Sequence, residues 1–199
     1  MQRREFVLGS SGSVLGLLGS YAMVNAEITA IAEDGIDWYN VQDWGVEGRG
    51  FSETKSYFDR LPAKAEGVVR KAVWGLSLHS AGMSSRFNTD SRDLHVRYRL
   101  KSARVAMPHM PATGVSGVDL YGTNKEGADR WISVSRPSAQ DVNYKWVTGI
   151  DPPGRNGRLY TAYLPLYNGV EKMEVGVRSG SRFAPIDPRK KGTIVFYGT

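Results

Sequence analysis

The chain has 199 residues, is 41% hydrophobic and 23% charged, and carries a net charge of +6. This suits one domain of ordinary size with a substantial core and excludes wholesale disorder. The basic residues are scattered, with no basic helix and no aromatic–basic stacking module, which argues against nucleic acid as a partner. The absence of cysteine excludes disulfides and thiolate zinc sites.

Arg3-Arg4-Glu5-Phe6-Val7 is a twin-arginine pattern, followed by a Gly/Ser/Leu-rich apolar stretch to about Met23 and small residues at Val24-Asn25-Ala26. Residues 1–26 are expected to be a twin-arginine-type signal peptide, with a Sec signal or an uncleaved anchor as the alternatives. The expected destination is the bacterial periplasm or the medium, with no membrane association after cleavage.

Residues 27–66 are turn-rich and aromatic, and should form an irregular segment that packs Trp38 and Trp44 onto a sheet. Pro62 argues against a helix there. From Val68 the period switches to two: Val69, Lys71, Val73 and Gly75 alternate with Arg70, Ala72, Trp74 and Leu76, predicting a strand. Further strands are predicted at 83–87, 94–101, 118–121, 131–134, 144–147, 159–164 and 172–177. In the clearest, Leu94, Val96, Tyr98 and Leu100 face in, while His95, Arg97, Arg99 and Lys101 face solvent. Gly/Pro/Asn clusters at 122–124, 151–154 and 179–181 separate strands.

About eight short strands and no helix of convincing length predict an all-β fold, an antiparallel jelly-roll-like β-sandwich over residues 27–183. The Pro-rich basic stretch 184–192 reads as a linker. The closing run Ile194-Val195-Phe196-Tyr197 is apolar on both faces, as strands of a parallel sheet are. Gly198-Thr199 then opens a tight turn. Strand–turn–helix junctions are where α/β enzymes place nucleophiles and anion-binding amides.

Chemistry is sparse within the sandwich. Ser116 lies in Gly114-Val115-Ser116-Gly117, which lacks the final glycine of a G-x-S-x-G elbow. His95 reads as a solvated strand residue and His79 as a hydrogen-bonded edge residue. His109 stands in the rigid loop Met107-Pro108-His109-Met110-Pro111, where a structural or interface role is favoured over catalysis. Glu33, Asp34, Asp37 and Asp43 match no calcium loop and read as a solvated acidic turn. No cofactor or metal is expected. Most tryptophans are needed in the core, although any exposed one would make a platform for a sugar ring.

Three segments together resemble the N-terminal domain of a bacterial SGNH hydrolase (GDSL-type esterase) family. They are Arg60-Leu61-Pro62-Ala63-Lys64-Ala65, the stretch from Met107 to Tyr121, and Leu164-Pro165-Leu166-Tyr167-Asn168-Gly169-Val170-Glu171. The middle one contains the G-x-D-L-Y motif, Gly117-Val118-Asp119-Leu120-Tyr121. The resemblance implies a jelly-roll-like domain preceding an α/β/α catalytic domain whose first strand reads like 193–199, with Gly198 and Thr199 flanking the nucleophile block. It implies that the sequence stops before the nucleophile serine, the oxyanion donors and the Asp and His of the triad, so no hydrolysis is expected of this chain alone. The parent activity would be ester hydrolysis, with deacylation of carbohydrate as the substrate class. The expected role is a non-catalytic module that packs on the catalytic domain and shapes its substrate cleft. Interface or cleft-wall candidates are Met107, His109, Met110, Asp119, Tyr121, Tyr167 and Asn168. The alternative is a free-standing carbohydrate-binding or adhesion module.

Overall fold

The computed structural model describes residues 28–151 and 156–189. The expected signal peptide, the strand at 193–199, Gly198 and Thr199 lie outside the described residues.

Among the described residues ten strands form two antiparallel sheets. The first sheet contains β1 (Ile31–Glu33), β2 (Ile36–Asn40), β4 (Leu94–Leu100), β7 (Asp141–Val147) and β9 (Val170–Arg178), in the order β1-β2-β9-β4-β7. The second contains β3 (Ser84–Thr89), β5 (Asp119–Thr123), β6 (Asp129–Val134), β8 (Arg158–Tyr163) and β10 (Phe183–Ile186), in the order β10-β3-β8-β5-β6. Setting aside β1 and β10, the remaining eight strands pass from one sheet to the other at every step except the β5–β6 hairpin, which is jelly-roll order. Alternating residues of the two inner faces fill the space between them: Leu94, Val96 and Leu100 from β4, Val175 and Val177 from β9, Phe87 from β3, Leu120 from β5 and Tyr160 from β8, none of them exposed.

The structure departs from the sequence-based expectation at four places. The segment expected to be a strand around 69–76 is instead the helix α1 (Lys71–Ser77). Its apolar residues fit a spacing of four as well as two, and Val69 and Val73 are half-buried on one side. Among the described residues no strand pairs with this segment, so the helix, which satisfies its own backbone, prevails. A second helix, α2 (Ala112–Ser116), precedes β5.

The N-terminal segment is not wholly irregular. Asp34 and Gly35 have φ of 51° and 76°, the left-handed pair that closes a two-residue hairpin, and β1 and β2 pair across it. Trp38 and Trp44 are buried as expected.

The stretch read as a linker from Ala184 begins as sheet: Ala184–Ile186 belong to β10, which pairs with β3 from Phe183↔Thr89 to Ile186↔Arg86. Pro185 is compatible because β10 is an edge strand.

His95 is not solvated; it is 8% exposed. It does sit on the outer face, in register with Gly176, which in turn pairs with Trp38. With no side chain at Gly176, the Trp38 indole crosses β9 and meets the His95 ring edge-on at 6.1 Å. Arg97 covers the same indole from 4.3 Å.

Candidate functional site

The segment 107–121 starts with a tight loop. Met107 N–H donates to Met110 O (3.0 Å) and Met110 N–H returns the bond to Met107 O (3.1 Å). Pro108 and His109 form the exposed tip. Pro111, whose φ is fixed near the helical value, stands at the N-cap of α2. Met110 folds back on this helix, its Cγ 3.1 Å from where a Cβ on Gly114 would lie. Among the described residues His109 has no hydrogen-bond partner, so nothing orients it as a base.

The helix ends at the G-x-D-L-Y motif, and each motif position has a physical reason. Gly117 is buried, and a Cβ there would stand 2.4 Å from Thr113 O and 2.8 Å from Val134 Cγ2. Val118 is fully buried; its N–H donates to Ser135 Oγ (2.8 Å) and its carbonyl accepts from Trp146 Nε1 (3.0 Å). Asp119 faces outward and accepts from Trp131 Nε1 at 2.8 Å. Leu120 is core. Tyr121 faces outward again and packs edge-on against Tyr163 at 5.4 Å. The motif is thus a strand entry that seals the core with Val118 and Leu120 while Asp119 and Tyr121 arrange aromatic rings on the surface.

The β8–β9 loop is bound to the same corner. Tyr167 N–H donates to Val115 O (3.0 Å), leaving its ring 42% exposed, and Leu166 beside it is 54% exposed. Asn168 is instead 2% exposed. Its Oδ1 accepts from Ser102 N–H (3.2 Å), and its Nδ2 donates to Ser102 O (3.0 Å) and Ser116 Oγ (3.1 Å). Asn168 therefore ties its own loop to Ser102 and to the last residue of α2 from inside, and Ser116 is a buried member of that network with no histidine bonded to it among the described residues.

Tyr98 lies under the corner, its hydroxyl donating to Ser116 O (2.9 Å) and meeting Ser135 Oγ at 2.8 Å. Burial pushes its phenol well above the ordinary tyrosine range, partly offset by Ser135. It is a neutral donor under all working conditions.

The histidines do not converge with a nucleophile. Burial, aided by Arg60, lowers His79. Burial, aided by Lys145 and opposed by Asp93, lowers His95. Among the acidic residues of the N-terminal region, Glu33 pairs with Arg97 (2.5 Å), Asp43 accepts from Asn40 Nδ2 (3.4 Å), and Asp37 accepts from Ser179 Oγ (2.7 Å) and Gly180 N–H (3.2 Å). Among the described residues no group of three or more His, Asp or Glu is placed to hold a metal ion.

The structure thus gathers Met107, His109, Met110, Tyr167 and the internal clamp Asn168 at one corner. It sets Asp119 and Tyr121 on the outer face of the second sheet. Sequence reasoning missed Trp131, Tyr163 and Leu166, which are 55%, 44% and 54% exposed. In a strand the period identifies opposite faces but not which one a second layer covers. The Asp119–Trp131 hydrogen bond crosses two strands and leaves no local signal.

Comparison with known proteins agrees with this geometry. The family model GxDLY, the N-terminus of SGNH-hydrolase-type esterases, matches residues 28–183. Among solved structures, a GDSL-like lipase candidate from Bacteroides ovatus superposes with a TM-score of 0.68 at 21% identity, over 77% of this chain and 43% of that one. This chain therefore spans less than half the length of that protein. The salicylyl-acyltransferase SsfX3 of a tetracycline biosynthetic pathway aligns at a TM-score of 0.43 and 14% identity, over 83% of this chain and 39% of that one. No curated protein matches. The match over 28–183, with Gly117 to Tyr121 forming its motif strand, establishes that the chain belongs to the GxDLY family, the N-terminal domains of SGNH-hydrolase-type esterases.

Proposed function

We propose that this chain serves as the non-catalytic N-terminal module of an exported SGNH-type esterase, packing on the catalytic domain and forming one wall of its substrate cleft. Export is supported by the twin-arginine pattern at Arg3-Arg4. The observation that carries the reading is the corner 107–121. A loop stiffened by Pro108, Pro111 and the paired Met107–Met110 backbone bonds holds His109 outward, on a base clamped by Asn168. Such a loop presents side chains without ordering cost on contact. Ester hydrolysis, with acylated carbohydrate as the substrate class, is the activity served. The bond-breaking groups belong to the partner domain, since Ser116 is buried and His109 lacks an orienting partner.

The test is steady-state kinetics on a polypeptide carrying this domain ahead of the SGNH catalytic domain, with His109→Ala and Met110→Ala combined. A wall residue contributes to substrate binding rather than to the chemical step, so KM should rise several-fold with kcat nearly unchanged. Unchanged kinetics together with unchanged melting would sink the idea.

One observation favours a second reading, a free-standing carbohydrate-binding module: the exposed Trp131 ring, held in place by Asp119. Calorimetry of the chain with soluble polysaccharides distinguishes it, and heat of binding abolished by Trp131→Ala would support it.

A further inference from the structure

We infer that the outer face of the second sheet is the surface on which the SGNH catalytic domain docks, and that the Glu47–Arg189 ion pair fixes where the chain leaves that face. This rests on the proposed function above and adds the surface to it. Strand register places Ile186, Arg86, Thr161, Tyr121 and Trp131 in one row across five strands. Tyr163 and Asp119 lie side by side in the neighbouring row.

Trp131 and Tyr163 are 55% and 44% exposed, with Tyr121 edge-on to Tyr163. The opposite outer face differs: Arg97 pairs with Glu174 and Glu33, and Arg99 with Glu171 and Asp141. One face is a closed net of ion pairs; the other offers flat rings, the side chains that anchor interfaces.

The path of the chain identifies the occupant. Beyond β10, Pro188 folds back over Gly45, where a Cβ would stand 3.2 Å from Pro188 Cγ. Arg189 Nε then donates to both Glu47 carboxylate oxygens, at 2.9 and 3.0 Å. The same carboxylate accepts from Arg86 at 3.0 Å. Glu47 bridges to Ser84, and Ser84 pairs with Tyr163 on β8, which sets the ion pair at the end of the sheet that carries the rings. Whatever follows Arg189 therefore starts at the rim of the aromatic face, and a short tether gives it a high effective concentration there. The charged groups beside the rings are already paired, Asp119 with Trp131 and Arg86 with Glu47.

Hydroxyl-radical footprinting tests this, comparing the 199-residue chain with a polypeptide carrying the domain ahead of the SGNH catalytic domain. Oxidation of Trp131 and Tyr163 should fall several-fold in the longer polypeptide, with Ile31 and Leu76 unchanged. In that polypeptide Trp131→Ala, an exposed substitution, should return Tyr163 to the reactivity it shows in the 199-residue chain. Protection of Ile31 or Leu76 in place of Trp131 would overturn the surface while leaving the proposed function intact. Protection nowhere would overturn both. Protection of Trp131 by added polysaccharide, but not by the catalytic domain, would overturn the inference in favour of sugar binding.

Discussion

Residue 176 lies between Trp38 and His95 across three paired strands, and a Cβ there would stand 2.8 Å from the Trp38 ring and from Ile36 Cγ2. The glycine therefore lets an indole cover the sheet, and that cover buries His95. The consequence is electrostatic. His95 and His79 both have lowered pKa values, in each case chiefly through burial. As pH falls below the ordinary histidine value, about 6.5, the unfolded chain takes up protons first. Stability is thus complete above that pH and declines below it, until the folded-state values are reached. Urea unfolding at about pH 7.5 and about pH 5.5 should show a lower midpoint at the acidic pH, and His95→Gln should remove part of the difference. Identical midpoints would contradict this assignment.

At the scale of elements, β10 closes the second sheet chiefly through Phe183. Its ring stacks on Tyr39 at 3.9 Å and on Phe87 at 5.4 Å, with Trp44 edge-on at 5.5 Å. Phe183→Ala should destabilise the chain by about 3 kcal/mol, measured by chemical denaturation, because it empties a contact between both sheets. A loss within about 0.5 kcal/mol would mean that the sandwich closes without β10.

The strand is short, begins in a Ser/Arg turn and contains Pro185, so its sequence resembles a linker; only the pairing with β3 makes it sheet. The same competition explains α1, where period two and period four fit the same residues and the lack of a pairing strand among the described residues decides. Strands β3 to β9 were legible as β-branched and aromatic runs bounded by Gly, Pro and Asn turns, most clearly β4, where apolar and polar residues alternate from Leu94 to Lys101. Of the candidate site, the 107–110 loop was legible from its proline spacing, while Asp119 and Tyr121 were named by the G-x-D-L-Y motif and their outward facing was not read from the sequence. Asn168, expected at the interface or cleft wall, is an internal clamp, because its partners Ser102 and Ser116 lie far away in the sequence.

At the scale of the whole molecule, the sandwich has one ion-paired outer face and one aromatic outer face, and its chain leaves beside the aromatic one. A domain so arranged stabilises, and is stabilised by, what sits on that face. The most direct test of the proposed role as a docked module is differential scanning calorimetry of the 199-residue chain and of the polypeptide that adds the SGNH catalytic domain. Docking predicts that the unfolding of the sandwich moves to higher temperature and merges with that of the catalytic domain in one cooperative transition. A sandwich transition at the same temperature in both, independent of the second domain, would contradict the account.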